Sequence, residues 1–325
     1  MNPLKLPLAL SLALAASMLS AQTGQIGGPM IGFVFDNTAG ALRPVRGILG
    51  ASMLGDPVDT GLVLSSAVVA PRQDTAAATA TDGSFHLLRL NSGSSAPLPC
   101  AACPATTQAA IFSPSGTAVA FYSAGRVRVV TGLPDAPAAG AGFDVEPLSR
   151  GAGNRPQTPD IALSDDGAWL LAATRNSVEL FGANGGIRPL MDTKPYPLIA
   201  FAAGSHDAVV ADPGGAGLVL FHDVAGASTQ QVLALPDARR GPSALAFSPD
   251  GTRILVAVPL EQSVVSIDVA SGNRTVTTCH CTASALVSMG KLFRLNESDA
   301  GPLWLMDPAA LPEPLIVFVP ALTAN

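Results

Sequence analysis

Ala244-Leu245-Ala246-Phe247-Ser248-Pro249-Asp250-Gly251 is an apolar run that breaks into a tight turn, and three more β-prone runs follow it: Ile254 to Val258, Val264 to Val269 and Thr275 to Thr278. Pro249 presets φ for the turn, and Gly251 supplies the positive φ that closes it. Asp268 to Gly272 turns the third run into the fourth by similar chemistry. Four short runs joined by turns predict one four-stranded antiparallel sheet, with strands A, B, C and D in chain order.

Working outward, the strand A and turn pattern recurs. It is found at Ile111-Phe112-Ser113-Pro114-Ser115-Gly116, at Ala162-Leu163-Ser164-Asp165-Asp166-Gly167 and at Ala200-Phe201-Ala202-Ala203-Gly204, with weaker copies at Val68 to Pro71 and Leu286 to Gly290. The anchor positions 69, 112, 163, 201, 247 and 287 lie 38 to 51 residues apart, which matches the roughly 40–50 residue period of propeller blades. A second landmark, an apolar strand running into a polar turn, appears seven times, at Val34 to Asn37, Leu88 to Asn91, Val129 to Gly132, Leu180 to Ala183, Leu220 to Asp223, Ser266 to Val269 and Trp304 to Asp307. A sheet of this kind cannot bury both faces alone, so copies must stack around a ring.

The expected fold is therefore all-β, a β-propeller of four-stranded antiparallel blades. Residues 62–325 hold six recognisable blades. Within residues 22–61, Phe33 to Ile48 reads as a further C–D strand pair that closes the ring. Seven blades are favoured over six, because seven C-strand signals are present. The whole is expected to form one domain, and Pro134 to Pro159 reads as a long surface or binding loop.

Composition narrows the function classes. The 325 residues carry 18 Lys+Arg against 24 Asp+Glu, a formal charge of -6, so a nucleic-acid partner is not expected. Residues 1–21 place one cation, Lys5, before an apolar run from Leu6 to Ala16 and end in Ser20-Ala21, as a secretory signal peptide does. The apolar run is short for a membrane span. An exported, periplasmic or extracellular protein that is not membrane-embedded is expected, as a monomer.

The Phe-Ser-Pro-Asp-Gly turn at 247 to 251, with Ile254 to Val258 and Ser263 to Gly272 behind it, resembles a blade of the bacterial YVTN-type and WD40-like β-propeller families. The likeness extends more weakly over residues 62 to 310, and the Trp-Asp and Gly-His pairs of true WD repeats are absent. The resemblance implies a ring-shaped scaffold, frequently extracytoplasmic, with lactonases and a periplasmic Tol-Pal propeller among its relatives. It is specific for architecture and silent on activity.

The cysteines are the most distinctive candidates. Cys100 and Cys103 form Cys-Ala-Ala-Cys, Cys279 and Cys281 flank His280, and both pairs follow a D strand. In an exported chain an even count favours disulfides, within or between the pairs. The rival is a metal or redox site on Cys279, His280 and Cys281, or one shared by all four thiols, although the spacing suits structural zinc poorly. His206 and His222 read as solvated loop residues, and no nucleophile elbow, zinc-protease motif or phosphate loop is present. The aspartates fall mostly at turns, where their own backbone hydrogen bonds explain them. Arg239-Arg240 is the only basic dipeptide and reads as a solvated loop or a carboxylate-binding pair. Trp169, Trp304, Phe112, Phe201 and Phe247 read as inter-blade core.

No residue is assigned a catalytic role and no cofactor is expected. The first functional expectation is a non-enzymatic binding scaffold for a protein, peptide or glycan on a propeller face. The alternatives are a lactonase-like or other small-molecule hydrolase using a divalent ion in the central channel, and metal or thiol redox handling by the cysteine pairs.

Overall fold

The computed structural model describes residues 28–91, 93–145, 160–174, 176–194, 197–212, 217–233, 241–297, 301–310 and 313–321. They form seven antiparallel sheets, the blades of a β-propeller. Blade 1 holds β1 (Met30–Asp36), β2 (Ala41–Ile48) and β3 (Ala51–Leu54). Blade 2 holds β4 (Leu64–Val69), β5 (Thr75–Ala80), β6 (Phe85–Asn91) and β7 (Ser94–Pro97). Blade 3 holds β8 (Ala109–Phe112), β9 (Ala118–Ser123), β10 (Arg126–Thr131) and β11 (Ala138–Asp144). Blade 4 holds β12 (Ile161–Leu163), β13 (Trp169–Ala173), β14 (Ser177–Gly182) and β15 (Ile187–Asp192). Blade 5 holds β16 (Leu198–Phe201), β17 (Ala208–Asp212), β18 (Gly217–His222) and β19 (Thr229–Leu233). Blade 6 holds β20 (Ala244–Phe247), β21 (Arg253–Val258), β22 (Ser263–Asp268) and β23 (Arg274–Thr278). Blade 7 holds β24 (Val287–Met289), β25 (Leu292–Arg294), β26 (Leu303–Asp307) and β27 (Leu315–Val319).

Strand position explains strand composition. The second strands β9, β17 and β21 are buried almost throughout, because both faces of each sheet are covered by neighbouring blades. They accordingly read as unbroken apolar runs, not as alternating patterns. The fourth strands β19 and β23 are largely exposed and polar. Between blades, residues from two adjacent sheets share one core, as where β21 and β22 meet β25 and β26 around Leu255, Val264, Phe293 and Met306.

All six copies of the first sequence landmark are first strands with their turns, and six of the seven copies of the second lie on third strands. The exception corrects the reading of blade 1. Leu64, at the start of β4, donates its N–H to Gly40 O beyond the end of β1 (3.1 Å), whereas Phe33 near the start of β1 bonds Gln73 beyond the end of β4. β1 thus runs against β4, as a second strand runs against the next blade's first: Thr117, before β9, bonds Asp165, after β12. The strands β1, β2 and β3 are therefore B, C and D of a blade with no strand A among the described residues, not a C–D pair. The misreading has a simple cause. β1 ends in an Asp36-Asn37 turn like a C strand, and Ala51–Leu54 is too short and exposed to register as a strand.

The Pro134 to Pro159 stretch also holds more structure than a loop. Ala138–Asp144 pairs with β10 across a bulge between Arg128 and Val130. Its Ala-Ala-Gly-Ala-Gly composition has low strand propensity, and partner β10 supplies the order. Residues 146–159 lie outside the described residues, as does the predicted signal peptide. Among the described residues no helix is long and apolar enough to cross a membrane.

Candidate functional site

The first strands surround the central channel, and the A–B turns form one of its mouths. The turns of blades 2, 3, 4 and 6 share one pair of backbone bonds, and those of blades 3, 4 and 6 add a hydroxyl bond. In blade 6, Ser248 N–H donates to Arg253 O (2.8 Å), Gly251 N–H donates to Ser248 O (2.8 Å), and the Ser248 hydroxyl accepts from Arg253 N–H (2.9 Å). Ser164 and Ser113 repeat the hydroxyl bond in blades 4 and 3. The residue at the left-handed position is glycine in five blades, Gly116, Gly167, Gly204, Gly251 and Gly290. In blade 2 it is Gln73, with φ of 64°.

Side chains tie these turns together. One oxygen of Asp165 accepts from Ser115 N–H and the other from Gly204 N–H, both at 2.7 Å, so one carboxylate joins blades 3, 4 and 5. Beside blade 1, the turns of blades 2 and 7 meet directly, Gly290 N–H donating to Pro71 O at 2.7 Å. Gln73 fills the remaining gap: its Oε1 accepts from Phe33 N–H (2.7 Å) and its Nε2 donates to Ala70 O (3.0 Å) and Ser288 O (3.5 Å). Gly32 makes room for it, since a Cβ there would lie 2.5 Å from Gln73 Oε1.

The channel is a cavity of about 530 Å³ with an apolar wall, built from side chains such as Ile111, Phe112, Ile199, Leu245, Phe247 and Leu286. The first strands β8, β16 and β20 are only partly buried, because one of their flanks faces this opening. Phe112, Phe201 and Phe247 thus serve the inter-blade core and the channel wall together. Arg72, on the blade 2 turn, is the one ionisable residue among the described residues of the wall. Its Nε meets Asp74 Oδ2 at 2.9 Å, and its side chain stays 47% exposed.

The other candidates are placed as follows. The structure pairs Cys100 with Cys103 and Cys279 with Cys281, Cα atoms 5.4 and 5.0 Å apart. The two pairs lie in different inter-blade cores, so a shared four-thiolate site is not assembled. The local pairing engages both sulfurs of the Cys279, His280, Cys281 trio, and His280 is exposed. Among the described residues no group of three or more His, Cys, Asp or Glu side chains converges as metal ligands would. Arg239 and Arg240 lie outside the described residues. His206 and His222 are half-exposed and carboxylate-paired, with Asp166 (2.8 Å) and Asp207 (3.2 Å). Burial alone would raise the Asp166 pKa, but bonds from the Ser164 hydroxyl, Ala168 N–H and His206 outweigh it and hold the carboxyl below the usual range.

Arg72 and Gln73 went unnoticed at the sequence level. The available signal was a non-glycine residue in the Ala70-Pro71-Arg72-Gln73 turn where the other copies carry glycine.

No family model matches the chain, and no curated protein matches it in sequence. Its fold is similar to a functionally unknown protein from Desulfotomaculum acetoxidans (TM-score 0.56, 11% identity, covering 89% of this chain and 99% of that one). It is equally similar to a proposed 6-phosphogluconolactonase from Bacteroides fragilis (TM-score 0.56, 15% identity, covering 89% and 92%). The WD40 repeats of RRP9 superpose with a TM-score of 0.51 at 12% identity, covering 79% and 80%. At these identities the likeness establishes the seven-bladed propeller architecture alone.

Proposed function

We propose that this chain is an exported, non-enzymatic binding propeller that receives an apolar group of its partner in the central channel. One observation carries the reading, the composition of the channel wall. A divalent ion that activates water needs several converging oxygen ligands. The wall offers no carboxylate among its described residues, only hydroxyls and the Arg72 guanidinium. A glycan would also find few polar contacts there, so of the partner classes considered a protein or peptide segment, or a small apolar ligand, fits better. A site in the range of about 300–1,000 Å³ lined mainly by hydrophobic side chains is the usual form of a binding pocket.

Hydrolysis of 6-phosphogluconolactone, followed with added magnesium, calcium or zinc and again with chelator, is expected to proceed at the spontaneous rate throughout. The neutral fluorophore Nile red is expected to bind the same preparation and to lose binding in Leu245→Glu, which sets a charge on the channel wall. Chelator-sensitive turnover would overturn the reading in favour of a hydrolase.

Export and oxidation of the cysteine pairs belong to the same proposal. Two local disulfides agree with an oxidising compartment and with the pairing in the structure. The intact mass of the secreted protein is expected to lack residues 1–21 and to rise by four hydrogens on reduction. A retained leader or four alkylatable thiols without reductant would sink this part.

A further inference from the structure

Resting on that reading, we infer that the channel is a site for a fatty carboxylate, an unbranched apolar chain ending in an anionic head, with Arg72 as the head-group residue. The first strands carry Ala-Ala-Ile-Phe, Ile-Ala-Leu, Leu-Ile-Ala-Phe and Ala-Leu-Ala-Phe. They run alongside one another, and their three or four residues span about 10–13 Å at the usual strand rise. The space they border is mainly apolar and about 530 Å³ in volume.

The hydroxyls of Ser113, Ser115 and Ser248 on the wall already have partners within the fold. The Ser113 hydroxyl accepts from Ala118 N–H. The Ser248 hydroxyl donates to Asp250 Oδ1 and accepts from Arg253 N–H, and the Ser115 hydroxyl pairs with Thr117 Oγ1 at 2.7 Å. A ligand with hydroxyls along its length would find these three side chains already engaged. Polar chemistry is left to the mouth, at Arg72. There the ion pair with Asp74 uses Nε, and the outer face of the guanidinium can receive a carboxylate in the two-pronged geometry that arginine favours. Arg72 is the one guanidinium among the described residues of a mainly apolar wall, and an anionic head on an apolar chain matches that pairing.

The test is calorimetric titration of delipidated full-length protein with laurate and, separately, dodecanol, which keeps the chain and removes the charge. Laurate is expected to bind once per chain and about fivefold to tenfold more tightly than dodecanol, the worth of one half-exposed charge-assisted contact. Arg72→Gln should remove that difference and leave dodecanol unchanged. Asp74→Asn, which frees the guanidinium from its internal partner, should tighten laurate, and Leu245→Glu should abolish both ligands. Equal affinities for laurate and dodecanol, or laurate binding that survives Leu245→Glu, would overturn the assignment. If neither ligand binds while Nile red does, the fatty-carboxylate assignment fails and the binding propeller stands. If nothing binds, both fall.

Discussion

Phe293→Ala is expected to destabilise the propeller by about 3–5 kcal/mol, the range for removing a buried phenylalanine. Phe293 is 1% exposed and sits where blade 6 meets blade 7, among Leu255, Val264, Met306 and the Cys279–Cys281 pair. Its removal leaves a void between two sheets that cannot close by moving one side chain, since each sheet is also packed on its other face. Phe293 borders the channel as well, so the void opens into that cavity, which moves the cost toward the lower end of the range. In a chain of this size such a loss lowers Tm by roughly 6–10 °C. Urea denaturation with an unchanged slope is the check, and a loss below about 1 kcal/mol would show that blades 6 and 7 do not share this core.

Gln73→Ala is expected to cost about 3 kcal/mol, and Gln73→Gly less. Alanine keeps the left-handed backbone of residue 73, a conformation worth of order 1 kcal/mol of strain in a non-glycine residue. It also strips Phe33 N–H of its acceptor and Ser288 O of a donor, and a buried orphan donor costs about 1–3 kcal/mol. Glycine loses the same bonds but relieves the backbone, so the order of stability should be wild type, then Gln73→Gly, then Gln73→Ala. The two variants separate the side chain's role from the backbone's. If Gln73→Gly matched or exceeded the wild type, the amide would not be closing the ring.

The logic of these variants follows from blade 1. Among the described residues no strand A pairs with the inner edge of β1, and one glutamine amide from blade 2 bonds near its start. The Asp165 carboxylate and the Gly290–Pro71 bond do comparable work elsewhere around the same mouth. The channel's shape therefore depends on contacts between turns that lie far apart in the chain.

The repeat, the blade period and the turn chemistry were legible in the amino-acid sequence because each depends on neighbours within a few residues. Pro249 and Gly251 act on their own φ, and an apolar run such as Ile254 to Val258 marks a strand covered on both faces wherever it stands. The six first strands could be located for that reason. Tertiary structure alone decided the rest. β11, rich in alanine and glycine, is a strand only because β10 offers it an edge, and β1 is a second strand because of the direction in which β4 passes it. The Asp165 bridge over intervals of 50 and 39 residues and the Gln73 contact with Phe33 depend on ring closure, which no local pattern encodes. The apolar channel belongs to the same class: its wall residues read as ordinary core until six strands are arranged in a ring, leaving one flank of each without a neighbour.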